Sequence, residues 1–460
     1  MVRQRLMNVE GSSWFEIGKE LAEKVSSRSL YAYQFDRAAY SDEPDIKALW
    51  TEHLGPMAEK SMAMLTPNAY ELCRGFETVF KTKGDKYSVW ELLTLYEVDM
   101  FIHEFHYKCS ECKHRIMKGP RYVCTHCEPT QPDPSPKKRS RNAKPIPSSI
   151  CLSCVTTHPG CVACGNTLEA TSVLHETMGI GIANKSGCTG FGYRDDQMFF
   201  CGQTLEMATD TYNYGRFDTV YKLHNTESNI TVVVYDVGCI LSPFGLNSSG
   251  LGLCVFNLYN SDYCLPPYAE NDYRVPMAAL QWEILLRGSH NVNETLCFLR
   301  GPANSLKTFT SASFIVAAAG DCSVIEVTAN NSWTPASPES ETEDNQAPAV
   351  FRGNNGSKWI VRANNCLAGS SLLDTESLPP NISSKDRQAD LARSFSTLEG
   401  AQPDLDWTMT ALSTPTIQTE YCLSTVIMEP ENRKMHVRFR VGTRMSTTLK
   451  DGGRWDVFSI

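Results

Sequence analysis

Apolar residues fall into three patterns along the chain. Between residues 10 and 103 they recur at helical spacing: Ile17, Leu21, Ala22 and Val25 form one stripe, and Trp90, Leu92, Leu93, Leu95 and Val98 form another. Residues three and four apart share a helix face, so these stripes predict amphipathic helices packed on a core. Past Cys188 the pattern changes to short β-rich runs at 231–235, 251–258, 313–318, 324–327, 359–362 and 435–441. One helix is expected among them, over 275–287, with Pro276 near its first turn, where a missing N–H costs little. Helices followed by strands, with few βαβ alternations, predict an α+β chain with stacked antiparallel sheets. Between the two regimes, residues 104–165 lose periodicity and become rich in Cys, His, Pro and basic residues. The acidic, Pro/Ser-rich segment 332–348 reads as a surface loop.

Composition narrows the class. With 460 residues, 42% hydrophobic and 21% charged, the chain is globular and large enough for two or three domains and a sizeable core. A formal charge of −9 argues against nucleic-acid binding over the whole surface, though not against one local basic patch. No apolar run reaches the roughly 18 residues of a membrane span, and the amino-terminal residues lack the apolar stretch of a secretory leader. The expectation is a cytoplasmic protein without a membrane partner; the basic run Lys137-Lys-Arg-Ser-Arg141 reads as a nuclear-import patch or as a solvated loop. Seven N-x-[ST] sequons, at Asn184, Asn229, Asn247, Asn293, Asn330, Asn355 and Asn381, are then chance matches.

Cysteine spacing adds candidate chemistry. Of 18 cysteines, eight lie between Cys109 and Cys164. C-x2-C pairs in a reducing compartment point to metal rather than disulfides. Cys109, Cys112, Cys124, Cys127, Cys151, Cys154, His158 and Cys161 suit two closed, structural zinc sites, with Cys164 as an alternative ligand. The stretch from Ile116 to Cys127, followed by Cys-Leu-Ser-Cys154, resembles a ZZ-type zinc finger. That resemblance implies a cross-brace: Cys109, Cys112, Cys151 and Cys154 at one ion, and Cys124, Cys127, His158 and Cys161 at the other. It also implies a peptide or protein ligand for the module. Cys161 stands where the family usually has histidine, and 23 residues separate the second and third pairs.

The remaining motifs concern a nucleophile. No G-x-S-x-G elbow occurs, and His103-Glu-Phe-His106 lacks the spacing of a zinc protease. The sequence Lys185-Ser-Gly-Cys-Thr-Gly190, then Phe200-Cys-Gly-Gln203 and Glu206, resembles the isopenicillin N acyltransferase family of self-cleaving N-terminal-nucleophile cysteine enzymes. Further blocks agree in order: Phe15-Glu-Ile-Gly18, the glycine-rich 245–253, Val275-Pro276, Ser311-Ala-Ser-Phe314 with Glu326, and Val361-Arg-Ala-Asn-Asn-Cys366.

The resemblance implies a four-layer αββα sandwich carrying an inserted zinc module. Its parts are a helical 1–103, the zinc module 104–165 with a basic Pro-rich loop 128–150, a linker 166–187 and a β-rich catalytic part 188–460. It implies cleavage between Gly187 and Cys188, with Cys188 as thiol nucleophile, its freed α-amine as base, Asn364 as oxyanion donor and Glu206 as orienting group. The substrate class implied is a small amide, with acyl-coenzyme A among the family's acyl donors; hydrolysis and acyl transfer both stay open. The family mostly has Asp at the Glu206 position, and its late catalytic arginine is replaced by Thr419, leaving Arg362 or another arginine to substitute. The alternative is a decayed enzyme retained as scaffold for the zinc module.

Overall fold

The β-rich runs beyond Cys188 assemble into two sheets in a computed structural model of the chain. The structure describes residues 6–25, 49–83, 88–98, 120–123, 169–172, 187–195, 198–206, 218–237, 240–258, 272–301, 306–319, 321–329, 349–352, 358–365, 384–398, 401–418, 422–439 and 455–460. Two units divide the chain: residues 1–98, 185–264 and 269–460 form one, and residues 99–184 and 265–268 form the other.

In the larger unit an eight-stranded sheet runs in the order β1 (Leu6–Gly11), β6 (Asp218–Asn225), β7 (Ile230–Val237), β8 (Phe244–Asn247), β9 (Gly252–Leu258), β12 (Ser311–Ala318), β13 (Asp321–Val327), β14 (Ala349–Arg352). Only β1 and β6 pair in parallel within it. A six-stranded antiparallel sheet runs β15 (Trp359–Arg362), β4 (Cys188–Arg194), β5 (Phe199–Glu206), β16 (Cys422–Glu429), β17 (Lys434–Phe439), β18 (Trp455–Ser459). A short parallel pair, β10 (Arg274–Val275) with β11 (Lys307–Thr308), stands apart from both. The two large sheets lie face to face: Arg362 on β15 pairs with Glu326 on β13 and donates to Ser313 Oγ on β12 at 3.3 Å. With both faces covered, strands such as β12 are buried along their whole length and read as near-continuous apolar runs.

Helices cover the outer faces. On the eight-stranded sheet lie α1 (Trp14–Lys24), α5 (Met277–Leu286) and α6 (Val292–Arg300); α3 (Pro67–Lys83) packs on α1 and α5, with α2 (Gly55–Leu65) and α4 (Val89–Val98) against α3. The apolar stripe of α1 is buried at Ile17, Leu21 and Ala22. Ser13 caps this helix by accepting from Glu16 N–H at 3.2 Å, and the Glu16 carboxylate reaches back to Ser12 N–H at 3.1 Å. Gly18 in the Phe15–Gly18 block serves a close helix crossing, since a Cβ there would lie 2.0 Å from Leu72 O on α3. Glu283 of α5, fully buried, accepts from Ala69 N–H at 2.9 Å and so supplies an acceptor to the first turn of α3.

On the six-stranded sheet lie α7 (Ser384–Ser396) and α8 (Leu405–Leu412), where Leu391, Phe395 and Leu412 pack with Phe191, Tyr193 and Phe200. The described part of the larger unit is thus helix, sheet, sheet, helix. The expected helix at 275–287 is α5, two residues shorter at its start and one at its end. The sequence reading did not anticipate β1 or the helices α6, α7 and α8. Each is short or carries few large apolar residues, and α7 is mostly polar outside the face bearing Leu391 and Phe395.

In the smaller unit, β2 (Pro120–Val123) pairs antiparallel with β3 (Glu169–Ser172). The proposed zinc ligands Cys109, Cys112, Cys124, Cys127, Cys151, Cys154, His158 and Cys161, the spare Cys164, the basic run 137–141 and the 332–348 segment lie outside the described residues. Among the described residues no group of three or more His, Cys, Asp and Glu could hold a metal, and no helix is long and apolar enough to cross a membrane.

Candidate active site

Cys188 opens β4, and pairing of β4 with β5 sets its surroundings. The register places Cys188 opposite Leu205, and the next rung is Glu206 N–H donating to Gly187 O at 3.0 Å. The carbonyl preceding Cys188 is therefore fixed by the sheet ladder itself.

The other side of that peptide meets β15. Its pairing with β4 ends at Arg362 opposite Gly190, so the chain leaving β15 passes the start of β4. There Asn364 Oδ1 accepts from Cys188 N–H at 2.7 Å, while Asn364 Nδ2 donates to Asn257 O at 2.9 Å. Asn365 points elsewhere, its Oδ1 accepting from Ser384 Oγ at 2.8 Å; that same hydroxyl oxygen accepts from Asn364 N–H at 2.7 Å. These two bonds dock the first turn of α7 onto the segment after β15.

One turn along α7 stands Arg387, the residue that sequence reading missed. Its Nη2 donates to Asn364 Oδ1 at 3.0 Å, and its Nη1 lies 3.4 Å from Glu206 Oε2. Cys188, Glu206, Asn364 and Arg387 are all at most 6% exposed. One guanidinium thus bridges the two polar groups that resemblance had singled out. The signal was present in the spacing: Arg387, Leu391 and Phe395 fall at i, i+4 and i+8, so Arg387 heads the buried face of its helix. Arg362, the substitute considered from sequence, pairs with Glu326 and donates to Asn365 O at 2.7 Å, with no contact to Cys188. Thr419 lies outside the described residues.

Burial governs the thiol. It pushes the Cys188 pKa up to about 12, against the pull of the Arg387 charge and of a hydrogen bond from Glu206 N–H. In the intact chain the side chain is therefore a neutral thiol near pH 7, and it needs a base before it can act as a nucleophile. Gly187 is as constrained as its neighbour. A Cβ at that position would lie 1.9 Å from Arg387 Nη1 and 2.3 Å from Cζ and Nη2, so a side chain there would have to displace the guanidinium.

No protein-family model and no curated protein matches the chain. Solved structures similar to it include a Caenorhabditis elegans N-acylethanolamine-hydrolyzing acid amidase ortholog, 13% identical, covering 53% of this chain and 93% of that one at a TM-score of 0.38. Penicillin V acylase from Agrobacterium tumefaciens is 14% identical over 55% of this chain and 84% of its own, at 0.36. A variant of conjugated bile acid hydrolase from Clostridium perfringens is 15% identical over 59% and 97%, at 0.34. Likenesses this weak carry no functional argument. Function has to be read from the geometry around Cys188.

Proposed function

We propose that the chain cuts itself between Gly187 and Cys188 and then works as an N-terminal cysteine amide hydrolase or acyltransferase. The observation that supports this reading is the treatment of one peptide bond. Its carbonyl oxygen accepts from Glu206 N–H, its nitrogen donates to Asn364 Oδ1, and a buried guanidinium beside Gly187 joins Glu206 to Asn364.

The chemistry follows from that arrangement. Cys188 Sγ attacks the Gly187 carbonyl carbon, and the developing oxyanion keeps its hydrogen bond to Glu206 N–H. Collapse breaks the Gly187 C–N bond and leaves a thioester on Sγ; the thiol proton ends on the departing nitrogen, which becomes the α-amine of Cys188. Water then releases Gly187 as a carboxylate and restores the thiol. The freed α-amine, with a reference pKa of about 7.7–8.0, can take the thiol proton near neutrality, which the buried thiol cannot lose alone.

Substrate turnover repeats the second half on a small amide: thioester formation on Cys188, loss of the amine, and release to water or to an acceptor amine. Asn364 has its Nδ2 engaged by Asn257 O in the intact chain, so its role there is to hold the scissile nitrogen. An oxyanion role for Asn364 belongs to the cut form, and Glu206 orients the α-amine through Arg387.

Hydroxylamine tests the thioester directly. It should accelerate cutting and leave Gly187 as a hydroxamate at the end of the 187-residue fragment; a fragment carrying only a plain carboxylate would exclude the thioester route. The Cys/His-rich segment is proposed to hold two structural zinc ions and to bind a peptide or protein, in a cytoplasmic or nuclear setting. A chain that stays whole but still binds peptide through that segment would be the scaffold, not the enzyme.

A further inference from the structure

We infer that Arg387 is a selectivity gate: the acyl group carried by Cys188 must have an unbranched CH2 next to its carbonyl, on the side where an L-amino acid would place its Cβ. The inference rests on the proposed thiol chemistry. In self-cleavage the acyl group transferred to Sγ is that of Gly187, so the intact chain shows where an acyl group sits relative to the nucleophile and what surrounds its α-carbon.

The α-carbon of Gly187 faces the Arg387 guanidinium. A branch in the L position would meet Nη1 at 1.9 Å, with Cζ and Nη2 at 2.3 Å, far inside van der Waals contact. Arginine side chains usually yield to such a clash by changing rotamer, but this one is restrained. It is 3% exposed, is held by Asn364 Oδ1 at 3.0 Å and Glu206 Oε2 at 3.4 Å, and rises from a helix turn docked through Ser384 onto Asn364 and Asn365. Moving it would break a buried ion pair with Glu206. Its Nε is also buried with no hydrogen-bond partner among the described residues, leaving a donor for an acceptor atom of a bound acyl chain. The acyl groups that fit are N-substituted glycyl groups and straight-chain acids; L-α-aminoacyl groups are turned away.

The same chemistry allows a test on the whole protein with two probes, the p-nitrophenyl esters of N-acetylglycine and of N-acetyl-L-alanine. Each would transfer its acyl group to Cys188 Sγ and release p-nitrophenol, read as a colour burst and as a mass adduct on Cys188, with Cys188→Ala as the blank. The glycyl probe should acylate Cys188 about 10- to 200-fold faster than the L-alanyl probe, the range over which steric fit discriminates small groups. In Arg387→Ala both rates should fall while the ratio between probes collapses towards one, an outcome that a merely structural role for Arg387 would not produce. Equal acylation of the unsubstituted protein by both probes would overturn the gate and leave the nucleophile assignment standing. A chain that neither cuts itself nor accepts the glycyl probe would overturn the thiol chemistry, and the gate with it.

Discussion

Replacing Arg387 with methionine removes the charge at the centre of the site while keeping a side chain of comparable length. The consequence falls first on Glu206, whose carboxylate is 5% exposed and loses a guanidinium 3.4 Å away. Removing one member of a buried ion pair costs about 3–5 kcal/mol. The carboxylate can relieve that cost by taking up a proton. Neutralising a glutamate of reference pKa about 4.3 costs 1.36 kcal/mol per pH unit, or about 3.7 kcal/mol at pH 7 and about 1 kcal/mol at pH 5. The Glu206 share of the stability lost in Arg387→Met is therefore capped near about 3.7 kcal/mol at pH 7, and the lost bond to Asn364 Oδ1 adds a part that does not vary with pH. In the variant the folded carboxyl titrates above its unfolded value, so its deficit is small below about pH 4.3 and grows as pH rises towards the raised folded value. The assay is urea unfolding at pH 5, 6 and 7 in a Cys188→Ala background, which keeps both proteins as single chains of equal length. A deficit under about 0.5 kcal/mol at pH 7, or one independent of pH, would refute the buried bridge between Arg387 and Glu206.

Three other outcomes follow from the same geometry. Asn364→Ala removes the side chain that Cys188 N–H and Asn257 O bond to and should slow self-cleavage by about 10² through lost positioning, read on denaturing gels; cleavage at the normal rate would move the anchoring role away from Asn364. In the uncut chain, alkylation of Cys188 by iodoacetamide should rise about tenfold per pH unit between 7 and 10, because the thiol titrates only near 12; a plateau near pH 8.5 would mean the thiol is not buried as described. Elemental analysis should find two zinc ions per chain; a value near zero would remove the cross-brace, and a value near one would point to the 128–150 spacer as the break in one site.

Legibility in the sequence divides along physical lines. Strands of the eight-stranded sheet such as Ile230–Val237 and Ser311–Ala318 were visible because two covering layers make them near-continuous β-branched and apolar runs, whereas β4 and β5 at the site, rich in Gly and polar residues, were marked only by their motifs. Glycines were visible as motif residues, and the structure supplies their reason: Gly18 allows α1 to cross α3, and Gly187 yields its Cβ position to Arg387. The helix bearing Arg387 was not visible. Its buried face consists of Ser384, Arg387, Leu391 and Phe395, and half of that face is polar, so an apolar count finds little periodicity there. A buried arginine becomes interpretable only when the fold shows its acceptors, Glu206 and Asn364, at sequence separations of 181 and 23. Strand β1 escaped for a related reason: it is an edge strand, and only Val9 within it is buried.

The central claim is that Cys188 severs the bond before it, and intact-mass spectrometry of freshly purified protein measures that directly. Wild-type protein should resolve into chains of 187 and 273 residues, the second beginning with Cys188 and bearing a free α-amine, whereas Cys188→Ala should remain one chain of 460 residues. A wild-type protein that stays whole after prolonged incubation, or a Cys188→Ala variant that is still cut between positions 187 and 188, would contradict the account.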